Sequence, residues 1–483
     1  MPLARKFTRC ALAPLAAGLA LLAPAAASAQ LVRPAPGQTP LYATAIPEGN
    51  RVGRVGDVSI NAVVRSRVDA IDGQYRRTGP EDDAMFTLRT QIFGEWDTGP
   101  VRLGYELVDA RAYARAPNST VDTGAINALE MVQLHLTAEL GDMLGQGSDT
   151  ELTIGRMSMD VGSRRLLGRP QFRNTANGLT GVRLDRRNAA GDQFLLLWAM
   201  PQIRLPREPD RVRRNLVEWD RETTDQQIMV ASQSWALPHN GVVQVYAFGF
   251  LEKDAEGFAT TDRQLFTPGV RWFQPPRAGH FDHEVEAVLQ MGRVSTSTAA
   301  TARRTAQRGY FVHATAGYTI PGAVNLRIAA AFDAASGDRF DPSGADTGER
   351  NTRFDPLIGA RRWEWGPSSL YGPLNRTNII SPAVRIEANT GRWFDAFVAW
   401  RSLWLNSSQD QFAVTGLRSP DGRLGRHAGN QFEARVRYWP IKGRVRFDAG
   451  AVLLDKGRFL RDAPGVIAQA DTHYGYFDTS VFF

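Results

Sequence analysis

Apolar and polar residues alternate in many segments of the sequence from residue 57 onward. In the first segment, residues 57–70, apolar side chains occupy most even-numbered positions and polar or charged side chains occupy most odd-numbered positions. Successive side chains of a β-strand point to opposite faces, so a period of two predicts a strand with one apolar and one polar face. At roughly 3.3 Å per residue, this strand is long enough to cross a hydrocarbon layer at a tilt.

The same alternation recurs in about 18 segments up to residue 483. Clear examples are residues 84–96, 100–109, 281–292, 323–333, 392–404, 431–440 and 443–454. After the N-terminal residues, no stretch is long and apolar enough to form a membrane-spanning helix. A soluble β-sandwich or β-propeller would have shorter strands, and a propeller would also show a repeat of about 40 residues, which this sequence lacks.

A sheet that closes on itself leaves no backbone polar group facing lipid. We therefore predict an all-β fold for residues 57–483, a transmembrane antiparallel β-barrel of about 18 strands of the Gram-negative outer-membrane type. Aromatic residues near segment ends would form its interfacial girdles. They are Trp96, Tyr105, Trp198, Trp400, Trp404, Tyr438 and Tyr474.

Both ends of the chain fit an exported protein. Residues 1–29 have a basic start, a short apolar run and a small-x-small cleavage site, which together predict a secretory signal peptide. Its cleavage would remove Cys10, the only cysteine. Residues 30–56 are rich in Pro and Gly and predict an irregular N-terminal lead. The final segment alternates and ends on Phe483, which resembles the C-terminal assembly signal of outer-membrane proteins. We expect the mature protein in the cell outer membrane.

The polar faces of a barrel with a lipid-facing apolar surface line its lumen. These faces are rich in arginine: Arg65, Arg67, Arg89, Arg102, Arg183, Arg327, Arg385, Arg401, Arg435, Arg437, Arg444 and Arg446. Acidic residues are interleaved, so many arginines could form cross-strand salt bridges that stiffen the wall. Alternatively, a surplus of arginine would set a positive potential that concentrates anions.

The stretch from residue 151 to residue 187 has an unusual density of arginine and no lysine. Gly, Ser and Pro interrupt it, so it cannot form a regular amphipathic helix. A guanidinium stays charged at any physiological pH and pairs with carboxylates or phosphates. The stretch therefore either meets an anion or is neutralised by acidic partners. We expect it to fold toward the lumen as a constriction, although the sequence leaves open on which side of the membrane it lies.

Residues 155–184 (GRMSMDVGSRRLLGRPQFRNTANGLTGVRL) resemble the G-R…G-S-x-R-L…R-x-F-R-N-T…G-V-R-L block of the alginate export family of outer-membrane porins. Two later blocks also resemble this family. They are residues 353–387, with an F-D-P…Y-G…N pattern, and residues 425–459, where Gly-His precedes the last strands. The aromatic loop around Trp363 and Trp365 and the N-terminal strands depart from the family pattern.

The resemblance implies a monomeric 18-stranded barrel whose arginine-rich constriction passes an anionic polyuronate outward by passive diffusion, without a cofactor. On the matching positions, it implies wall or constriction roles for Arg156, Arg165, Arg169, Arg173, Asn174 and Arg183. The expected partners are outer-membrane lipid, the anionic polysaccharide and a periplasmic export partner. The alternative is an anion-selective porin for uptake of small acidic solutes, because the departures leave the substrate open.

Other sites carry weaker signals. Asp338, Asp341, Asp346 and Glu349 lie close together and could hold calcium, but the D-x-D-x-D-G pattern is absent and a solvated loop is favoured. His135 and His283 could serve an outer-membrane hydrolase, but no paired serine, G-x-S-x-G or H-E-x-x-H accompanies them, so girdle or loop positions are favoured. We expect no enzyme activity and no nucleic-acid binding.

Overall fold

The computed structural model describes residues 57–339, 350–361, 365–391 and 393–483, and the backbone of two short strands, Tyr42–Thr44 and Arg54–Val55. The predicted signal peptide, residues 1–29, and most of the predicted lead, residues 30–56, lie outside the described residues. None of the helices in these ranges is long and apolar enough to span a membrane.

Eighteen long strands in the described ranges are numbered here in chain order. They are β1 (Val58–Asp72), β2 (Asp83–Asp97), β3 (Val101–Tyr113), β4 (Asn127–Gly141), β5 (Asp149–Met157), β6 (Leu179–Arg187), β7 (Gln193–Pro201), β8 (Gln226–Leu237), β9 (Gly241–Glu252), β10 (Gln264–Gln274), β11 (Phe281–Ser295), β12 (Arg304–Ile320), β13 (Asn325–Ala335), β14 (Ile379–Asn389), β15 (Phe394–Trp404), β16 (His427–Ile441), β17 (Val445–Lys456) and β18 (Thr472–Phe482). Two five-residue helices, α1 (Pro209–Arg213) and α2 (Arg458–Asp462), lie in loops.

Each strand pairs antiparallel with the next, and β18 pairs with β1 through registers such as Ser480↔Arg65, so the sheet closes. The predicted closed antiparallel barrel and its strand number are confirmed. Two short strands extend it at the edges. Arg54–Val55 pairs with the start of β1, and Arg350–Asn351 pairs parallel with β12.

Short turns and long loops alternate along the barrel. The turns, such as residues 98–100 between β2 and β3, lie at the end where β1 begins and β18 finishes. The longest loops, including residues 158–178 and 336–378, lie at the opposite end. In bacterial outer-membrane barrels the short turns are periplasmic and the long loops extracellular. Because successive connections alternate between the two ends of the barrel, the connection between β5 and β6, which belongs to the arginine-dense stretch, lies at the long-loop, extracellular end.

Burial follows the predicted alternation. On β1, Ile60 and Val68 are exposed to the surroundings of the barrel, whereas Arg65 and Arg67 are buried inside it. This inverted pattern indicates that one face meets lipid while the other meets the lumen. Tyr474 is an exception to the predicted girdle. Its side chain is buried inside the barrel, where its hydroxyl donates a hydrogen bond to Asp69 at 2.5 Å.

One predicted wall residue does not line the lumen. Arg444 lies in the turn between β16 and β17, where it is exposed at the short-turn end. The alternation of residues along the sequence would assign Arg444 to the inward face. However, Gly443 adopts φ +72°, and β17 begins only at Val445. The prediction that Arg444 faces the lumen is therefore wrong.

The main apolar core lies inside the long-loop end of the barrel. It combines inward-facing strand residues with loop residues that turn inward, among them Tyr75, Phe172, Tyr371 and Phe412. Helix α2 contributes Phe459, which is fully buried. The long loops thus fold into the barrel mouth and fill part of it.

The lipid-facing register can be tested at Ala287, which points outward on β11 between the exposed residues Phe281 and Met291. Ala287→Arg should impair assembly, because an arginine on the lipid face near the midplane costs about 2–4 kcal/mol. The measurement is the folded fraction in lipid vesicles, read from the gel shift between heated and unheated samples. Ala287→Val is the matched control and should assemble normally. Equal assembly of both variants would contradict the register.

Candidate functional site: an arginine-rich lumen

The connection between β5 and β6, residues 158–178, crosses the lumen and is called the crossing loop here. On one side, Arg169 makes a bidentate ion pair with Glu106 of β3, at 2.5 and 2.6 Å. On the other side, Arg165 donates to Glu284 at 2.9 Å and to Glu286 at 2.6 Å, both on β11. Because β3 and β11 lie on opposite sides of the closed barrel, the loop spans the interior.

The return half of the crossing loop is held by arginines of the wall. Arg65 donates to the carbonyl of Arg173 at 3.2 Å and to the side-chain oxygen of Asn174 at 3.0 Å. Arg67 donates to the carbonyl of Phe172 at 2.5 Å. Arg89 also donates to the carbonyl of Arg173, at 3.2 Å. Two of the expected constriction residues, Arg173 and Asn174, therefore meet three of the expected wall residues.

A second loop joins the crossing loop within the barrel; its described residues are 336–339, 350–361 and 365–378. The Ile358 amide donates to the carbonyl of Leu166 at 3.1 Å, and the Ala360 amide donates to the carbonyl of Arg164 at 2.8 Å. The loop is tied to the wall where the hydroxyl of Tyr371 donates to Gln431 of β16 at 2.7 Å. The sequence of this segment resembles a family block, but no pattern in it predicts that it narrows the lumen.

The lead also reaches the crossing loop. The backbone of Tyr42–Thr44 pairs antiparallel with Met159–Val161, with Tyr42 opposite Val161. Part of the lead thus adds a strand to the segment that crosses the lumen.

Most of the predicted lumen arginines are ion-paired. The pairs and their nitrogen–oxygen distances are Arg65–Asp478 at 3.4 Å, Arg67–Asp69 at 3.1 Å, Arg156–Glu130 at 2.6 Å, Arg183–Asp185 at 2.5 Å, Arg327–Asp282 at 2.5 Å, Arg385–Glu387 at 2.6 Å, Arg401–Asp333 at 2.9 Å, Arg435–Asp395 at 2.8 Å and Arg437–Asp448 at 3.1 Å. Arg102 pairs with Glu139 and Glu151. Arg446 donates to Ser480 at 3.2 Å. For these side chains, the interpretation as a stiffening network applies.

A different group of arginines lines a cavity of about 240 Å³ at the long-loop end. We call Arg76, Arg173, Arg204 and Arg361 the arginine cage. They come from four separate loops, and none of them has a carboxylate within salt-bridge distance in the described part of the chain. Among the described residues that line the cavity, Asp122 is the one acidic side chain, and it is exposed. The cage therefore concentrates positive charge that the protein leaves largely uncompensated.

The cage arginines are oriented mainly by backbone carbonyls. Arg76 donates to the carbonyl of Leu370 at 3.0 Å, and Arg204 donates to the side-chain oxygen of Asn177 at 3.0 Å. The Nε atoms of Arg76 and Arg204 are buried without a hydrogen-bond partner in the described part of the chain. Burial, together with repulsion from Arg76, lowers the pKa of Arg361 to about 10, so its guanidinium remains charged at neutral pH. A bound anion would relieve both the repulsion and the unsatisfied donors.

The weaker candidates that fall within the described ranges do not form a site there. Asp338 accepts a hydrogen bond from the Thr352 amide at 3.1 Å, and the other three calcium candidates, Asp341, Asp346 and Glu349, lie outside the described residues. The described ranges contain no group of three or more His, Cys, Asp or Glu residues that could hold a metal. His283 packs against Trp272 with 4.1 Å between ring centroids, consistent with a girdle position. His135 instead is buried on the lumen side, 3.2 Å from the carbonyl of Arg156, so its predicted girdle or loop position is wrong.

Comparison with known proteins adds a family and a fold. The sequence profile of the alginate export family matches residues 57–472. Among solved structures, the chain is similar to the outer membrane protein OpdK of Pseudomonas aeruginosa, with a TM-score of 0.52 and 12% identity over 88% of this chain and 98% of that chain. It is also similar to OccAB2 of Acinetobacter baumannii, with a TM-score of 0.54 and 10% identity over 88% of this chain and 98% of that chain.

A third similar structure is OccK2 (OpdF) of P. aeruginosa in complex with glucuronate, with a TM-score of 0.52 and 10% identity over 88% of this chain and 96% of that chain. At these identities the solved structures establish the fold alone. A search of curated proteins found no match.

Proposed function

Because the chain belongs to the alginate export family, we propose that this outer-membrane channel passes an anionic polysaccharide of the polyuronate class outward, by passive diffusion through its lumen as a monomer. A polyuronate carries a carboxylate on every sugar, so its passage needs fixed positive charge that is not already neutralised. The planar guanidinium fork matches a carboxylate in two parallel hydrogen bonds.

The observation that carries this proposal is the arginine cage. Wall arginines such as Arg437 are matched by acids such as Asp448, whereas the cage arginines are not matched in the described residues. Arg173 connects the two regions, because its carbonyl is held by Arg65 and Arg89 of the wall while its side chain lines the cage cavity. A carboxylate leaving the constriction would therefore meet uncompensated cations next.

The second candidate function is uptake of small acidic solutes through an anion-selective porin. Two observations favour it. The similar OccK2 structure holds glucuronate, a single uronic acid. The cage cavity of about 240 Å³ lies below the usual range of roughly 300–1,000 Å³ for small-molecule sites, which suits a monosaccharide better than a longer segment.

Export would require polymer to be delivered from the periplasm. We propose that a periplasmic partner meets the short-turn rim, where β1 begins and β18 ends. No described residue group suggests a cofactor, and the proposed transport needs none.

Planar-bilayer recordings with saccharide blockers test the proposal and separate the two candidates. We expect an anion-selective current that oligouronates block and neutral oligosaccharides of the same length do not, because only the former carry carboxylates for the cage. Block that strengthens with oligouronate length supports polymer passage. Equal block by the monomer and the oligomer supports uptake of small solutes. Cation selectivity would contradict both.

A further inference from the structure

The outer surface of the barrel carries four arginines around one alanine at the long-loop end. Ala306 of β12 lies opposite Arg293 of β11 on one side and opposite Arg350 of the short strand Arg350–Asn351 on the other. Arg304 and Arg308 stand two residues away along β12, on the same face of the strand. Directly opposite residues in a sheet are about 5 Å apart, so all four arginines border Ala306. We call them the arginine ring.

These side chains point away from the lumen. All four arginines are exposed, whereas the intervening residues Thr305 and Gln307 are buried inside the barrel. Ala306, at the centre of the arginine ring, has a small side chain that leaves room between the four arginine side chains.

The height of the arginine ring matches the edge of the membrane. Exposed apolar residues on the outer face run from Phe281 to Met291 on β11 and from Ile320 to Tyr310 on β12. For tilted strands, each of these stretches spans about 25 Å, the height of the apolar band of an outer-membrane barrel. Arg293 and Arg308 are the next outward residues beyond the two bands. The arginine ring therefore lies at the level of the lipid headgroups of the outer leaflet.

The charge of the arginine ring is not balanced by the described residues. None of its four arginines makes an ion pair there, and Arg304 donates to the backbone carbonyl of Asp262 at 3.2 Å. Arg111 provides a contrast, since it also points outward at the long-loop end, on β3. Its guanidinium pairs with Asp109 at 2.9 Å.

We propose that the arginine ring binds the phosphate of an outer-leaflet glycolipid of the lipid A type. Arginine forks bind phosphate in bidentate fashion, and clustered basic residues at a membrane surface bind anionic headgroups. The acyl chains of such a lipid would lie along the apolar band directly below, against residues such as Leu289 and Met291, whereas a soluble phosphate would gain nothing from that band. This site faces lipid and is independent of what passes through the lumen.

Lipid binding to the folded, detergent-solubilised full-length barrel tests the proposal, measured by native mass spectrometry with added lipid A. Wild type should retain lipid A, and the variant R293S/R308S should bind it about 10- to 30-fold more weakly, because two basic residues at a membrane surface are lost. R423S/R458S, which removes two exposed loop arginines outside the arginine ring, should bind like wild type.

Two further arms distinguish the source of the phosphate. Lipid A stripped of its phosphates should bind weakly to wild type and to R293S/R308S alike. Inorganic phosphate at equal concentration should not displace intact lipid A. Equal retention of lipid A by R293S/R308S and by wild type would overturn the proposal, as would equal binding of the dephosphorylated lipid or displacement by inorganic phosphate.

Discussion

Replacing Arg165 with alanine is expected to weaken the attachment of the crossing loop to one side of the barrel and to raise single-channel conductance. Arg165 is only 3% exposed, and its guanidinium holds Glu284 and Glu286, which are also largely shielded from water. Removing one partner of a buried ion pair costs about 3–5 kcal/mol, since the remaining charge loses its compensation.

The loss of stabilisation should affect the crossing loop and not the wall of the barrel. After the substitution, Glu284 keeps its contact with Arg271 at 2.6 Å, and Glu286 keeps the hydroxyl of Tyr246 at 2.5 Å. These partners lie on neighbouring strands, so the barrel should still assemble. On the β11 side the crossing loop keeps the hydrogen bond from the Ser163 hydroxyl to Glu286 at 2.9 Å, but it loses the two ion pairs of Arg165. Its contacts with the opposite wall, with the second loop and with Tyr42–Thr44 remain. We therefore expect larger and noisier channel openings in planar bilayers.

Arg164→Ala is the matched control. Arg164 pairs with Asp160 of the same loop at 3.0 Å, so its removal leaves both anchors of the crossing loop in place. Its conductance should stay near that of wild type. Unchanged conductance of Arg165→Ala in a correctly folded barrel would show that Arg165 does not hold the constriction in place. A heated-versus-unheated gel shift establishes folding for each variant.

The barrel could be predicted from the sequence because lipid imposes a simple periodic rule. On β11, the alternation of Phe281, Val285 and Leu289 with Asp282 and other polar residues reflects only whether each side chain meets hydrocarbon. No knowledge of long-range pairing is needed for that inference. Strand number and topology followed, since each segment repeats the same rule.

The sequence did not predict the positions of two side chains that find their partners inside the barrel. Tyr474 and His135 have amphipathic side chains, which the sequence assigned to interfaces. Inside this barrel, Tyr371 of the second loop packs 5.7 Å from Tyr474 between ring centroids, and the carbonyl of Arg156 on β5 lies 3.2 Å from the Nδ1 atom of His135. A local period cannot reveal that a connection distant in sequence returns into the lumen.

The candidate site was predicted only in part for a related reason. Arg165, Arg169 and Arg173 stood out by their density in one stretch, and the structure brings them into the lumen. Arg204 and Arg361 lie on two other loops that each carry several arginines, and no periodicity distinguishes these two from the rest. Whether a given arginine is neutralised also depends on tertiary placement. Arg401, for example, meets Asp333 at 2.9 Å although 68 positions separate them. The family block that contains Arg361 was the available signal for the second loop.

Neutralising the arginine cage is expected to lower anion selectivity more than neutralising the paired arginines of the wall. In R173Q/R204Q/R361Q, glutamine can still donate a hydrogen bond to the carbonyls that now hold the guanidinium groups, so the loops should keep their positions. A unit charge about 4 Å from a passing ion changes its energy by about 1 kcal/mol in water-like surroundings. Loss of three uncompensated charges should therefore reduce the ratio of anion to cation permeability roughly tenfold or more.

The matched control removes a charge together with its partner. In R437Q/D448N, a wall pair at 3.1 Å is neutralised without a change in net charge, so the permeability ratio should stay close to that of wild type. Reversal potentials in a salt gradient measure both variants under the same conditions. If only the cage variant loses anion selectivity, then selectivity depends on the surplus positive charge and not on the total number of arginines. Equal loss in both variants would instead assign selectivity to the paired wall, and the arginine cage would then be no more than a structural junction of four loops.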